Sequence, residues 1–140
     1  MKKALLIVMV MVIAAASVVA LAACSTGPAG VYKFESVTVK GGNYQNTYSV
    51  GDRQPYGDEE ITENSATLTL NKDGTYEFED DSTVLNTKTT GTWKKYKDED
   101  GKNCIEFDND NFSAEYTADG LTFCYNDLSL IYYTFKMKKA

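Results

Sequence analysis

No histidine occurs in the 140 residues. Its absence removes the commonest general base and metal ligand, and the one side chain whose unperturbed pKa lies near neutrality. No Ser-His-Asp set can be assembled, and no glycine-rich phosphate loop precedes a helix. Runs of helical period are missing beyond the first two dozen residues. Positive charge is also scarce: 14 Lys and Arg stand against 20 Asp and Glu, a net charge of −6. Phosphate binding needs a basic face, so nucleic acid is a poor partner for this chain. These absences argue against an enzyme and against any cofactor.

What is present begins with the longest apolar run in the chain. Lys2 and Lys3 precede Ala4 to Ala23, a stretch with no charge and with Ser17 as its only polar side chain. Small residues gather toward its end, the layout of a helical export signal. The run finishes on Leu21-Ala22-Ala23-Cys24. That tetrapeptide resembles the lipobox of bacterial lipoproteins. The resemblance implies that residues 1–23 are a removable signal peptide and that the Cys24 sulfur is acylated. It further implies that the bilayer is the protein's partner, on the extracytoplasmic face of the cell membrane. Lipoprotein chemistry supplies two or three acyl chains, and a single myristoyl-length chain anchors only marginally. Two other readings compete. Twenty apolar residues can span a bilayer uncleaved, and an ordinary signal can carry a cysteine by chance. All three place residues 25–140 outside the cytoplasm.

Residues 24–29 read as the lipidated cysteine followed by a short tether, Ser-Thr-Gly-Pro-Ala, that lifts the rest off the bilayer. Residues 30–140 then form one domain. A chain of this size buries about two-thirds of its unfolded surface, enough for a single core without staples. Once Lys2 and Lys3 leave with the signal, 12 positive side chains face 20 negative ones, a net of −8.

The domain reads as a series of strands. Tyr32 and Phe34 alternate with Lys33 and Glu35, the period of a half-buried strand. Val37 and Val39 have the opposite parity, which requires a bulge or twist near Ser36 or two covered faces. Ala66, Leu68 and Leu70 alternate with threonines, Asn71-Lys72-Asp73-Gly74 turns, and Tyr76 and Phe78 alternate with Thr75, Glu77 and Glu79. Two alternating runs around Asp-Gly are the strongest short-range hairpin signal. Repeating this reading gives about eight strands, at 30–39, 66–71, 74–80, 90–97, 102–108, 111–117, 121–126 and 128–137. Short connections favour a meander, and closing it removes both exposed edges. The expected fold is therefore all-β, a single up-and-down antiparallel barrel, with the first and last strands paired.

Gly30-Val31-Tyr32-Lys33, Leu68 to Tyr76, Gly91-Thr92-Trp93 and Tyr133-Thr134-Phe135-Lys136 together are similar to the small lipocalin-like domains of exported Firmicutes lipoproteins. The resemblance spans 30–137. It departs at Gly-x-Tyr, where lipocalins have Gly-x-Trp, and it shows neither their disulfide pattern nor a C-terminal helix. It implies a fold and a location but no reaction.

An eight-stranded barrel can be filled by its own side chains or can hold one small ligand. The inward set is bulky and includes Tyr32, Phe34, Tyr76, Phe78, Trp93, Phe107, Phe112, Tyr116, Phe123 and Phe135, which favours a filled core. If a pocket exists, its mouth is expected under residues 40–64. That segment is rich in glycine and holds Tyr44, Tyr48 and Tyr56, with a short strand or turn at 47–50. Tyr32, Tyr44, Tyr48, Tyr56, Trp93 and Tyr116 are accordingly the candidate ligand contacts, for a small apolar or amphipathic molecule or an envelope component. The alternative is an interaction or inhibitor protein, its acidic outer face meeting a cationic protein. The protein is expected to be a monomer. Cys104 and Cys124 are expected to be free: one strand lies between theirs, about 9–10 Å of separation against a limit near 7 Å. The acidic runs at 58–60, 79–81, 98–100 and 108–110 read as solvated turns, and Asp98-Glu99-Asp100-Gly101 lacks the continuation to the closing glutamate of a calcium loop.

Overall fold

A computed structural model describes residues 27–55, 57–81, 85–126 and 130–140. Residues 1–26, which hold the expected signal peptide and Cys24, lie outside the described residues, as does Tyr56. Among the described residues there are nine antiparallel strands: β1 (Gly30–Gly41), β2 (Tyr44–Ser49), β3 (Ala66–Leu70), β4 (Thr75–Asp80), β5 (Thr87–Lys97), β6 (Asn103–Phe107), β7 (Phe112–Tyr116), β8 (Gly120–Asn126) and β9 (Tyr132–Lys139). Eight of them close a barrel, because β1 pairs with β3 on one side and with β9 on the other.

β1 is long because it serves three neighbours. Its first half, Gly30 to Lys33, pairs with β3. Its second half, Ser36 to Gly41, pairs with β2, and nearly its whole length pairs with β9. The register with β9 shifts between Phe34 and Ser36. This bulge answers the parity conflict in the sequence: Phe34 points inward before it, and Val37 and Val39 point inward after it. A bulge adds one residue and increases the local twist, which bends a strand around a barrel corner.

The structure departs from the sequence reading at three places. Residues 40–49 form a true hairpin rather than an open connection, with Gly42 supplying a positive φ of 56° in the turn. β5 starts at Thr87, not 90, and β9 begins at Tyr132 and runs to Lys139. Trp93 and Tyr116 are only partly buried, although they carry core parity. The reason for Trp93 is positional. β4 ends opposite Thr92, so β5 beyond that point has β6 alone as a neighbour.

The interior is aromatic and filled. Phe78 stands at its centre, with ring centroids 4.6 Å from Phe123, 5.4 Å from Phe135 and 6.0 Å from Phe112. Most of these contacts are edge-to-face, the arrangement favoured by ring quadrupoles. Ile61, outside every strand, is fully buried with them. It gets there because residues 50–61 fold back on themselves: Gly51 N donates to Ile61 O at 2.9 Å, and Ile61 N donates to Asp52 O at 2.8 Å. Phe34 N then donates to Glu63 O at 2.9 Å, so the segment seals the wedge where β1 leaves β3 for β2.

Candidate functional site

The barrel has two unlike ends. One holds both termini of the folded part, together with the turns at 71–74, 98–101 and 117–119. The other holds the β1–β2 turn, the turn at 108–111 and the C-terminal ends of β4 and β8.

At the termini end, the residues expected to act as a free tether pack against the barrel. Pro28 is buried. The Tyr32 hydroxyl donates to Pro28 O at 2.6 Å, and Lys139 Nζ donates to Gly27 O at 2.8 Å. The Lys139 ammonium also lies 5.9 Å from the centre of the Tyr32 ring, within cation–π range. Ala140 N donates to Val31 O at 2.8 Å, fastening the C-terminal residue to β1. Burial, then the neighbouring Tyr116, pushes the Tyr32 phenol up to about 12. Trp93 lies beside this plug, its indole Nε1 donating to Asn71 O at 3.1 Å. Gly27, Pro28, Ala29, Lys72, Gly74, Trp93, Lys94 and Lys95 line a mainly apolar surface groove of about 470 Å³.

A second groove, of about 770 Å³, runs along the outside of β1 and β9 at the bulge, between Lys33, Glu35, Ser36, Ser49, Val50, Glu63, Lys136 and Lys138 to Ala140. A third, of about 450 Å³, lies near Glu35, Glu115 and Asp119 to Thr122. These grooves are external. The candidate contacts therefore divide. Tyr32, Trp93 and Tyr116 belong to the termini end. Tyr44 and Tyr48 lie on β2, where their hydroxyls share a 3.0 Å hydrogen bond. No single described site brings the two sets together, and Tyr56 lies outside the described residues.

Two buried polar groups have chemistry of their own. Asp80 is buried, and its carboxylate accepts from Leu85 N at 3.2 Å. Tyr76 is buried among aromatic rings, and its hydroxyl makes no hydrogen bond of regular geometry with a described residue, although Asp108 lies close enough for a weak one. Burial, then the charge of Asp108 and that weak hydrogen bond, pushes this phenol up to about 12. Asp108 comes this close because Gly91 has no side chain. A Cβ there would stand 2.2 Å from Asp108 Oδ1.

Cys104 and Cys124 are unbridged. Cys104 faces Glu115 of β7 and Cys124 faces Ser113 of the same strand, so β7 separates them. Among the described residues, no group of three or more His, Cys, Asp or Glu side chains can hold a metal ion.

The sequence missed Pro28, Ile61 and Lys139 as participants. Neither proline nor lysine follows strand parity at a chain end, and Ile61 stands alone in a polar stretch. No family model, curated protein or solved structure matches the chain.

Proposed function

We propose that the protein is a membrane-anchored extracytoplasmic lipoprotein whose β-barrel acts through its outer surface, as an acidic module that meets a cationic protein. The observation that carries this reading is the packed interior. Phe78, Phe112, Phe123 and Phe135 occupy the space in which a lipocalin-like barrel would hold a ligand. The segment sealing the wedge beside β1 supplies an exposed acidic surface, with Asp52, Asp58, Glu59, Glu60 and Glu63 against Arg53. Complementary charge steers encounter and sets specificity more than it adds affinity.

Cross-linking in membranes of the native host tests the reading. The expected product joins the 51–63 segment to a protein with a basic surface. Asp58→Asn, Glu59→Gln and Glu60→Gln together should abolish it without altering the fold. An unchanged product would refute the reading. Anchoring is tested separately: Cys24→Ala should release or mislocalise the protein, whereas unchanged membrane retention would point to a spanning helix.

The apolar groove beside Trp93 supports a second reading, a carrier of one small apolar or amphipathic molecule at the termini end. Native mass spectrometry of the delipidated protein should then show a co-purifying mass that is lost with Trp93→Ala.

A further inference from the structure

Closing the barrel leaves one strand with an open side. Among the described residues, β2 is the only strand with a single neighbour, because β1 extends past β3 and β2 covers the overhang. Val50 N donates to Glu35 O at 3.3 Å. Residues that bond across an antiparallel pair alternate along each strand. Tyr44, Asn46 and Tyr48 therefore turn their backbone groups to β1, and Gln45, Thr47 and Ser49 turn theirs outward.

That outer edge has a hazardous composition. Tyr44-Gln45-Asn46-Thr47-Tyr48-Ser49 carries no charge, no proline and no glycine, and Tyr44 is 53% exposed. Uncharged six-residue segments of β-forming residues, with Asn and Gln able to stack in ladders, are the kind that pair with copies of themselves. Lysine, proline and bulges are the usual means of blunting an edge. Lysine and proline are absent from this one, and its register with β1 is unbroken.

Two of its outward amides are nevertheless occupied. Thr47 N donates to Asn46 Oδ1 at 3.0 Å, and Ser49 N donates to Asp52 Oδ2 at 2.8 Å. Asp52 N in turn donates to Ser49 O at 3.0 Å. Asp52 is held in place from behind. Gly51 takes a φ of 94° in the turn, and Ile61 N, on a residue buried in the core, donates to Asp52 O at 2.8 Å. A strand adding to this edge would have to set its carbonyl oxygens where the Asn46 and Asp52 oxygens already lie.

We propose that Asn46 and Asp52 guard this edge: by occupying the Thr47 and Ser49 amides, they deny β2 to the β2 strand of a second copy of the chain. This gives Asp52 a role apart from the acidic surface around it. The role depends neither on a partner of that surface nor on the use made of Cys24.

All the core side chains and the whole closed sheet lie within residues 30–139, so residues 27–140 fold without the leader. Sedimentation velocity over a concentration series compares that barrel as wild type, as Asn46→Ala and as the Asn46→Ala, Asp52→Ala double variant. One net hydrogen bond changes an equilibrium constant by about five-fold. The self-association constant should therefore rise by about five-fold or more in Asn46→Ala and further in the double variant. Adding Thr47→Lys to the double variant should reverse the gain, because it sets like charges on the facing strands. Near-ultraviolet circular dichroism checks the fold. Asn46 is exposed, so Asn46→Ala decides alone if Asp52→Ala disturbs the 50–61 segment. An association constant no higher in the guard variants than in the wild type overturns the proposal. So does a gain that survives Thr47→Lys, since the contact then lies elsewhere.

Discussion

Removing one oxygen atom from each of two buried tyrosines should change stability in opposite directions. Tyr32 and Tyr76 are 0% and 2% exposed, and both contribute to the core. Tyr32→Phe deletes the 2.6 Å hydrogen bond to Pro28 O and leaves that carbonyl to find water or go unpaired. A made bond contributes about 1 kcal/mol net, and an acceptor left buried costs about 1–3 kcal/mol. A loss of roughly 1–2 kcal/mol is therefore expected. Tyr76→Phe deletes a hydroxyl that is buried without a regular partner. The wild-type chain already bears that desolvation cost, so its removal should be neutral or should stabilise by about 1 kcal/mol. Asp108 moderates the gain, since its carboxylate lies near the phenol. The assay is urea unfolding of residues 27–140 followed by Trp93 fluorescence, comparing midpoints at constant slope. Thermal midpoints should move by about 3–6 °C per kcal/mol for a domain of this size. If Tyr76→Phe destabilises as much as Tyr32→Phe, the hydroxyl of Tyr76 has a partner and the reasoning fails.

Alkali should unfold the barrel cooperatively. The folded Tyr32 and Tyr76 phenols hold their protons to about 12 against an ordinary 10. Above pH 10 the unfolded chain releases those protons first, so this stabilisation is complete below pH 10 and is lost as pH rises toward 12. A stability-versus-pH series checks this, and the Tyr32→Phe, Tyr76→Phe double variant should show a flatter fall. Gly120→Ala should destabilise by about 1–3 kcal/mol, because its Cβ would stand 2.3 Å from the fixed Met137 carbonyl oxygen. Gly42→Ala meets nothing within 4 Å and should cost only the ~1 kcal/mol of its positive φ. Phe78→Ala should cost about 3–5 kcal/mol in the same unfolding assay, since it empties the centre of the ring cluster.

Sheet and closure were legible because each signal is local. Asp73-Gly74 fixes a hairpin and its register, and period-two runs such as Ala66 to Leu70 declare their buried face. The bulge was legible as a contradiction, the change of parity between Phe34 and Val37. The β2 hairpin was not. Tyr44 to Ser49 buries little, so no alternation marks it, and it exists because β1 is longer than β3 and has unpaired backbone to offer. Ile61 was illegible for a related reason, since its burial depends on residues 50–61 folding back rather than on any period. The two groups of candidate tyrosines looked alike in sequence. Their separation to different ends is a property of topology, which composition cannot carry. The docked Gly27–Ala29 plug depends on Lys139, 112 positions away, and no local pattern reports so distant a contact.

The seam between β1 and β9 joins Tyr32 to Lys139 and Lys40 to Tyr132, so the ring has no form that is both closed and short of β9. Without β9, β1 and β8 would be left as two open borders rather than the walls of a smaller barrel. Contacts of such long sequence separation are slow to form, and here none of them can form before β9 has been made. The barrel therefore stays open until β9 has been added.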